Sequence, residues 1–103
     1  MHLDNFVAEY VAVTKFCLEN GSGHLIKNGG YLAAERPVIE ELLDRNKFEE
    51  SAVKLTIWKR LRWIDGDERH VTRNVYIKEE GRRRRMVLID LEVYNTLTTL
   101  KTM

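Results

Sequence analysis

Arg82–Arg85 place four guanidinium groups side by side, a concentration of charge found nowhere else in the chain. A guanidinium offers a planar fork of donors that fits a phosphate or the acceptor edge of guanine, so the run points first to a polyanion. The four arginines close a longer basic stretch. From Lys54 to Arg85, eleven Lys or Arg face five Asp or Glu, a net of +6. Residues 1–53 carry five basic against nine acidic groups and residues 86–103 carry one against two, so a chain of net charge +1 is strongly polarised,. Thr56, Lys59, Arg60 and Arg62 fall across one side of a helical wheel. Further on, Thr72, Asn74, Tyr76 and Lys78 alternate with Val71, Val75 and Ile77 as in a strand, with Arg73 on the apolar side and either extending toward a strand end or snorkelling. His70, Thr72 and Asn74 add neutral hydrogen-bonding groups for sugar, phosphate or base, or else form an ordinary solvent-facing strand.

Other chemistries find little support. His2, His24 and His70 are scattered and Cys17 stands alone, so there is no zinc-ligand spacing,. No nucleophile elbow appears. The glycines of residues 21–30 match neither a P-loop nor a dinucleotide fingerprint. Glu40 and Glu41, adjacent on a helix, point apart and read as a solvated face. The residues therefore predict a non-enzymatic protein without cofactor or metal. No apolar run approaches the ~18–20 residues of a membrane span. The first residues, MHLDNF, lack the basic and apolar regions of a signal peptide, so none is expected, and the lone cysteine fits the reducing cytoplasm,.

The 103 residues suit one domain,. Residues 4–19 have helical periodicity, with Asp4 as N-cap, apolar positions from Leu3 to Leu18, Cys17 in the core and Gly21 as the C-terminal cap. Leu25-Ile26 and Tyr31–Ala33 read as short strands around an Asn28-Gly29-Gly30 turn. A second helix begins near Pro37 and buries Val38, Ile39, Leu42 and Leu43, with Phe48 as a core anchor in the following turn. A third helix spans Ser51–Ile64, with Val53, Ile57, Leu61 and Ile64 predicted for the core, Lys54 at a border and Trp58 packing between faces. Two strands follow, His70–Lys78 and Arg82–Leu91, joined by Glu79-Glu80-Gly81. The run Met86–Ile89 predicts burial on both faces, and alternation sends the four arginines to both sides of the hairpin. From Asp90 a C-terminal helix is predicted, although its Val, Tyr and Thr content also suits a strand. Its stripe of Val93, Leu97 and Leu100 is available to the first helix or to a dimer contact.

This order of elements resembles the winged helix-turn-helix family. The resemblance covers nearly the whole chain and rests on pattern rather than on an invariant motif. It implies an α+β fold of three helices with a two- or three-stranded antiparallel wing, followed by the C-terminal helix. Residues 36–47 and Ser51–Ile64 would be the helix-turn-helix pair and residues 70–91 the wing. It further implies double-stranded DNA as partner, approached by Thr56, Lys59, Arg60 and Arg62 on the helix and by Lys78 and Arg82–Arg85 on the wing. Glu49 and Glu50 depart from that pattern, because they would meet phosphates at the start of the groove-entering helix, and they favour a wing-dominated mode. The small size without a ligand-binding or catalytic domain is similar to the TcpK-type relaxosome accessory proteins of conjugative plasmids, and because one small module buries limited surface, a homodimer or a larger nucleoprotein complex is expected. Two other readings remain open: a module docking a larger protein partner, and a single-strand binder stacking bases on Tyr76, Trp63 or Tyr94.

Overall fold

The computed structural model describes the backbone of residues 3–102 and the side chains of residues 3–100. His2 lies outside them. The chain runs α1 (Leu3–Glu19), β1 (His24–Ile26), β2 (Tyr31–Ala34), α2 (Arg36–Leu43), α3 (Ser51–Arg60), β3 (Ile64–Asp65), β4 (Arg73–Ile77), β5 (Arg82–Asp90) and α4 (Leu91–Thr102). No described helix is long and apolar enough to cross a membrane. Among the described residues the fold is α+β with four helices, the C-terminal one included, and a five-stranded antiparallel sheet: the two short strands and the two-stranded hairpin are present, and β3 is the strand that was not expected.

β5 is the axis of the sheet. Its second half pairs with β2 (Leu32↔Ile89, Ala34↔Val87) and with β3 (Ile64↔Ile89), while its first half pairs with β4 (Tyr76↔Arg83, Asn74↔Arg85). β1 completes the other edge by pairing with β2. The apolar run Met86–Ile89 is buried throughout, as its composition predicts, because successive side chains enter different cores,. Val87 and Ile89 join Leu32, Ala34 and the helices in the main core. Met86 and Leu88 join Ala33, Val75 and Ile77 in a smaller cluster on the other face, where Ile26 and Tyr31 also pack.

Asp4, expected as the N-cap of the first helix, lies within its first turn because α1 already begins at Leu3, whereas the expected end of α1 and start of α4 are present. Gly21 has φ +63°, and the Ser22 amide donates to Cys17 O at 2.9 Å, closing α1,. Asp90 Oδ1 accepts from the amides of Glu92 (3.0 Å) and Val93 (3.2 Å), which caps α4 and decides for helix over strand,. α4 packs against α1, with Leu97 and Val7 both on the main core. Cys17 is a buried free thiol whose pKa burial pushes up.

α3 departs from expectation twice. It ends at Arg60, four residues before Ile64, because Arg62 turns into the left-handed region (φ 62°) and the Trp63 amide donates to Trp58 O at 2.9 Å. That is a Schellman termination built on arginine instead of glycine. The released chain lets Ile64 join the sheet as β3. The helix is also rotated about its axis. Lys54, Leu55 and Trp58 face inward, whereas Val53 and Leu61 are exposed (37% and 43%) and Ile57 is only half-buried. The Lys54 ammonium sets this rotation. It is fully buried and donates to Glu9 Oε2 (3.0 Å), Leu43 O (2.7 Å) and Asn46 O (2.7 Å). Phe48, predicted as a core anchor, stays 40% exposed, with its edge on Phe6 and its ring 4.2 Å from Lys54 Nζ.

Candidate nucleic-acid interface

The β4–β5 hairpin carries the arginine run. Antiparallel register puts Asn74 opposite Arg85 and Tyr76 opposite Arg83, so these four share one face,. Arg82 and Arg84 share the other with Val75 and Ile77. The hairpin therefore has two chemically different sides.

On the Arg82/Arg84 side, the arginines are engaged by the protein's own carboxylates. Arg84 donates to Glu35 Oε1 (2.8 Å) and Glu80 Oε2 (3.0 Å), and Arg82 donates to Glu80 Oε1 (3.2 Å). Partial desolvation pushes the Glu80 carboxyl up, but hydrogen bonds from Arg84 and Arg82 more than reverse it, leaving it below its ordinary range. The bonds that Arg84 donates, to Glu35 first and then to Glu80, hold it above its usual value. The His24 ring lies 3.5 Å from Glu79 and 3.4 Å from Glu80, so β1 is held against the hairpin turn.

The loop between β3 and β4 restrains a second group. Gly66 leaves no room for a side chain, since a Cβ there would lie 2.3 Å from His70 O. The loop closes with the Asp67 amide donating to Thr72 O (3.1 Å), and His70–Thr72 consequently belong to this loop, turned at Glu68-Arg69 and bent at Val71-Thr72, rather than to the start of the predicted strand. Asp67 is its hub: it accepts from Arg85, lies 2.8 Å from His70 Nδ1 and accepts from the Arg69 amide at 3.1 Å. The bond from Arg85, then that from His70, holds the Asp67 carboxyl far below its ordinary range. Arg85 also donates to the buried Thr72 hydroxyl (3.2 Å). Arg73 donates to Asp65 Oδ1 (3.1 Å) and Gly66 O (2.9 Å), reaching the strand end as expected. Lys59 donates to the carbonyls of Asp67 and Glu68.

The expected binding residues thus separate. Lys59, His70, Thr72, Arg73, Arg82, Arg84 and Arg85 are tied into the fold. Arg60, Arg62, Asn74, Lys78 and Arg83 are exposed and have no side-chain partner among the described residues. Thr56 is exposed but returns its hydroxyl to Ala52 O (3.0 Å). Of the aromatic groups considered for stacking, Trp63 is buried against Tyr10 and Tyr94 is half-buried, whereas Tyr76 is 56% exposed beside Arg83. Exposed Arg69 belongs with the open set and was not singled out in the sequence, because it lies outside the alternating pattern. Interleaved acids at Asp65, Asp67, Glu79 and Glu80 hinted at pairing. Nothing local hinted at Glu35, 49 residues from its arginine.

No protein-family model matches this chain, and no curated protein is significantly similar to it.

Proposed function

We propose that the protein is a non-enzymatic double-stranded DNA-binding protein of the cytoplasm that engages the duplex mainly through the open face of the β4–β5 hairpin. The observation that carries this reading is the set Asn74, Tyr76 and Arg83 on one exposed strand face, with Lys78 following at the turn and no carboxylate bonded to any of them. Arg83 and Lys78 suit phosphates, and Asn74 is the neutral amide placed to hydrogen-bond a base edge. Pairing of β2 with β5 between the helices is compatible with a winged helix, in which β4 and β5 would be the wing. α3 is the lesser contributor, because its exposed surface mixes Val53 and Leu61 with Arg60 and begins beside Glu49 and Glu50. A role as an accessory protein of a mobile element rests on the sequence resemblance.

The test is a duplex titration across a series of salt concentrations, with Lys78→Ala/Arg83→Ala as the variant. Each phosphate contact contributes about 0.9 to the slope of log K against log salt, so the pair should flatten it by about 2. An unchanged slope, or no binding at low salt, overturns the proposal. A single-stranded oligonucleotide that binds more tightly than duplex, and loses affinity with Tyr76→Ala, would replace it with base stacking.

A further inference from the structure

The outward rotation of α3 exposes Val53 and Leu61 on either side of Ile57, whose inner edge packs against the main core. Val53, Ile57 and Leu61 stand at i, i+4 and i+8, with Val53 37% and Leu61 43% exposed and Ile57 half-buried. Ile57 is the midpoint, about 6 Å along the axis from each neighbour. Charge is graded along the same helix. Glu49 and Glu50 precede its first turn and bond to no cation among the described residues, Glu49 only accepting from the Glu50 amide at 2.9 Å. Arg60 and Arg62 lie at the other end and bond to no carboxylate.

A surface that is apolar in the middle, acidic at one end and basic at the other is complementary to itself turned end over end. We propose that α3 pairs antiparallel with α3 of a second copy of this chain, about a twofold axis near Ile57. In that pairing Val53 meets Leu61 of the second copy, and Ile57 meets its equivalent. Glu49 and Glu50 come within arginine reach of Arg60 and Arg62 of the second copy, and the reverse holds at the far end, as an isologous contact requires. Antiparallel alignment also opposes the two helix dipoles. A parallel pair would set acid against acid and base against base. One helix pair covers less than the ~1,600 Å² of a standard interface, so the dimer is of the weak, concentration-dependent kind. It occupies α3 and leaves both β4–β5 hairpins outside, and it does not depend on what the hairpins bind.

Sedimentation velocity of the full chain from micromolar to millimolar concentration tests this, with three variants checked for folding by circular dichroism. Wild type should pass from monomer to dimer. Leu61→Glu should remain monomeric. Glu49→Lys/Glu50→Lys and Arg60→Glu/Arg62→Glu should each weaken the dimer at least tenfold. An equimolar mixture of the two charge variants should restore it, since both ends of the heterodimer are then attractive. A wild type that stays monomeric throughout overturns the proposal. So does a dimer indifferent to Leu61→Glu, which would place the contact elsewhere, or a mixture no more associated than its components.

Discussion

Replacing Lys54 by methionine should be the most damaging single conservative-volume change in this protein. The lysine is completely buried, and its three donors go to the Glu9 carboxylate and to the carbonyls of Leu43 and Asn46, joining α1, the end of α2 and the following turn to α3. Methionine keeps most of the stem but removes the ammonium. Glu9 would then remain as a charge in the core, with only Asn46 Nδ2 at 3.1 Å on Oε2 and its Oε1 already without a partner. Leaving one member of a buried pair behind costs about 3–5 kcal/mol, a large share of the ~5–15 kcal/mol that stabilises a typical domain. For a domain of this size the expected fall in Tm is on the order of 15–25 °C. The double variant Glu9→Leu/Lys54→Met removes both charges and should be markedly more stable than Lys54→Met alone, although two carbonyls still lose their donor. Thermal and urea melts followed by circular dichroism measure both. A cost below about 1 kcal/mol for Lys54→Met, or costs for the two sites that simply add, would refute the claim that this pair sets the rotation of α3.

Tyr10→Phe removes a buried hydroxyl lying 2.7 Å from Trp63 O and 2.9 Å from Asp90 O, so urea melts should show a loss of about 1–2 kcal/mol, and a neutral result would mean that water replaces the bond,. Asp67 has a folded-state pKa below its unfolded value, so its contribution is present above about pH 4 and is lost as pH falls toward the depressed value,. Tm measured from pH 5 down to pH 2 should accordingly fall less steeply in Asp67→Asn than in wild type; parallel curves would show that Asp67 is not coupled to folding. Gly66→Ala brings a methyl to 2.3 Å from His70 O and should cost about 1–3 kcal/mol while loosening Arg73 and Arg85, read as faster amide exchange in residues 66–73; unchanged exchange would contradict the packing described for that loop,.

The local features of this fold were readable because they depend on neighbours in the chain. Asp90 caps a helix through amides two and three residues on, and Gly21 ends one through its own backbone freedom. Alternation along β5 sends Met86–Ile89 into cores on both faces of the sheet and the arginines to opposite sides of the hairpin. The early end of α3 escaped notice because its terminating residue is Arg62, whose side chain announces no left-handed turn. The facing of α3 escaped for a different reason. A helical wheel shows which residues share a face, and Val53-Ile57-Leu61 and Lys54-Leu55-Trp58 both qualify. Which stripe enters the core depends on whether a lysine finds a carboxylate and two carbonyls waiting there. Glu9 supplies that carboxylate from 45 residues away. The same holds for the candidate site. The sequence alone determined that residues 54–85 are basic and that the arginines line a hairpin. Only the tertiary structure decided which charges remain available, because Glu35 and Asp67 reach Arg84 and Arg85 through space. Coulomb attraction and desolvation depend on distance and burial, which the order of residues along the chain does not specify.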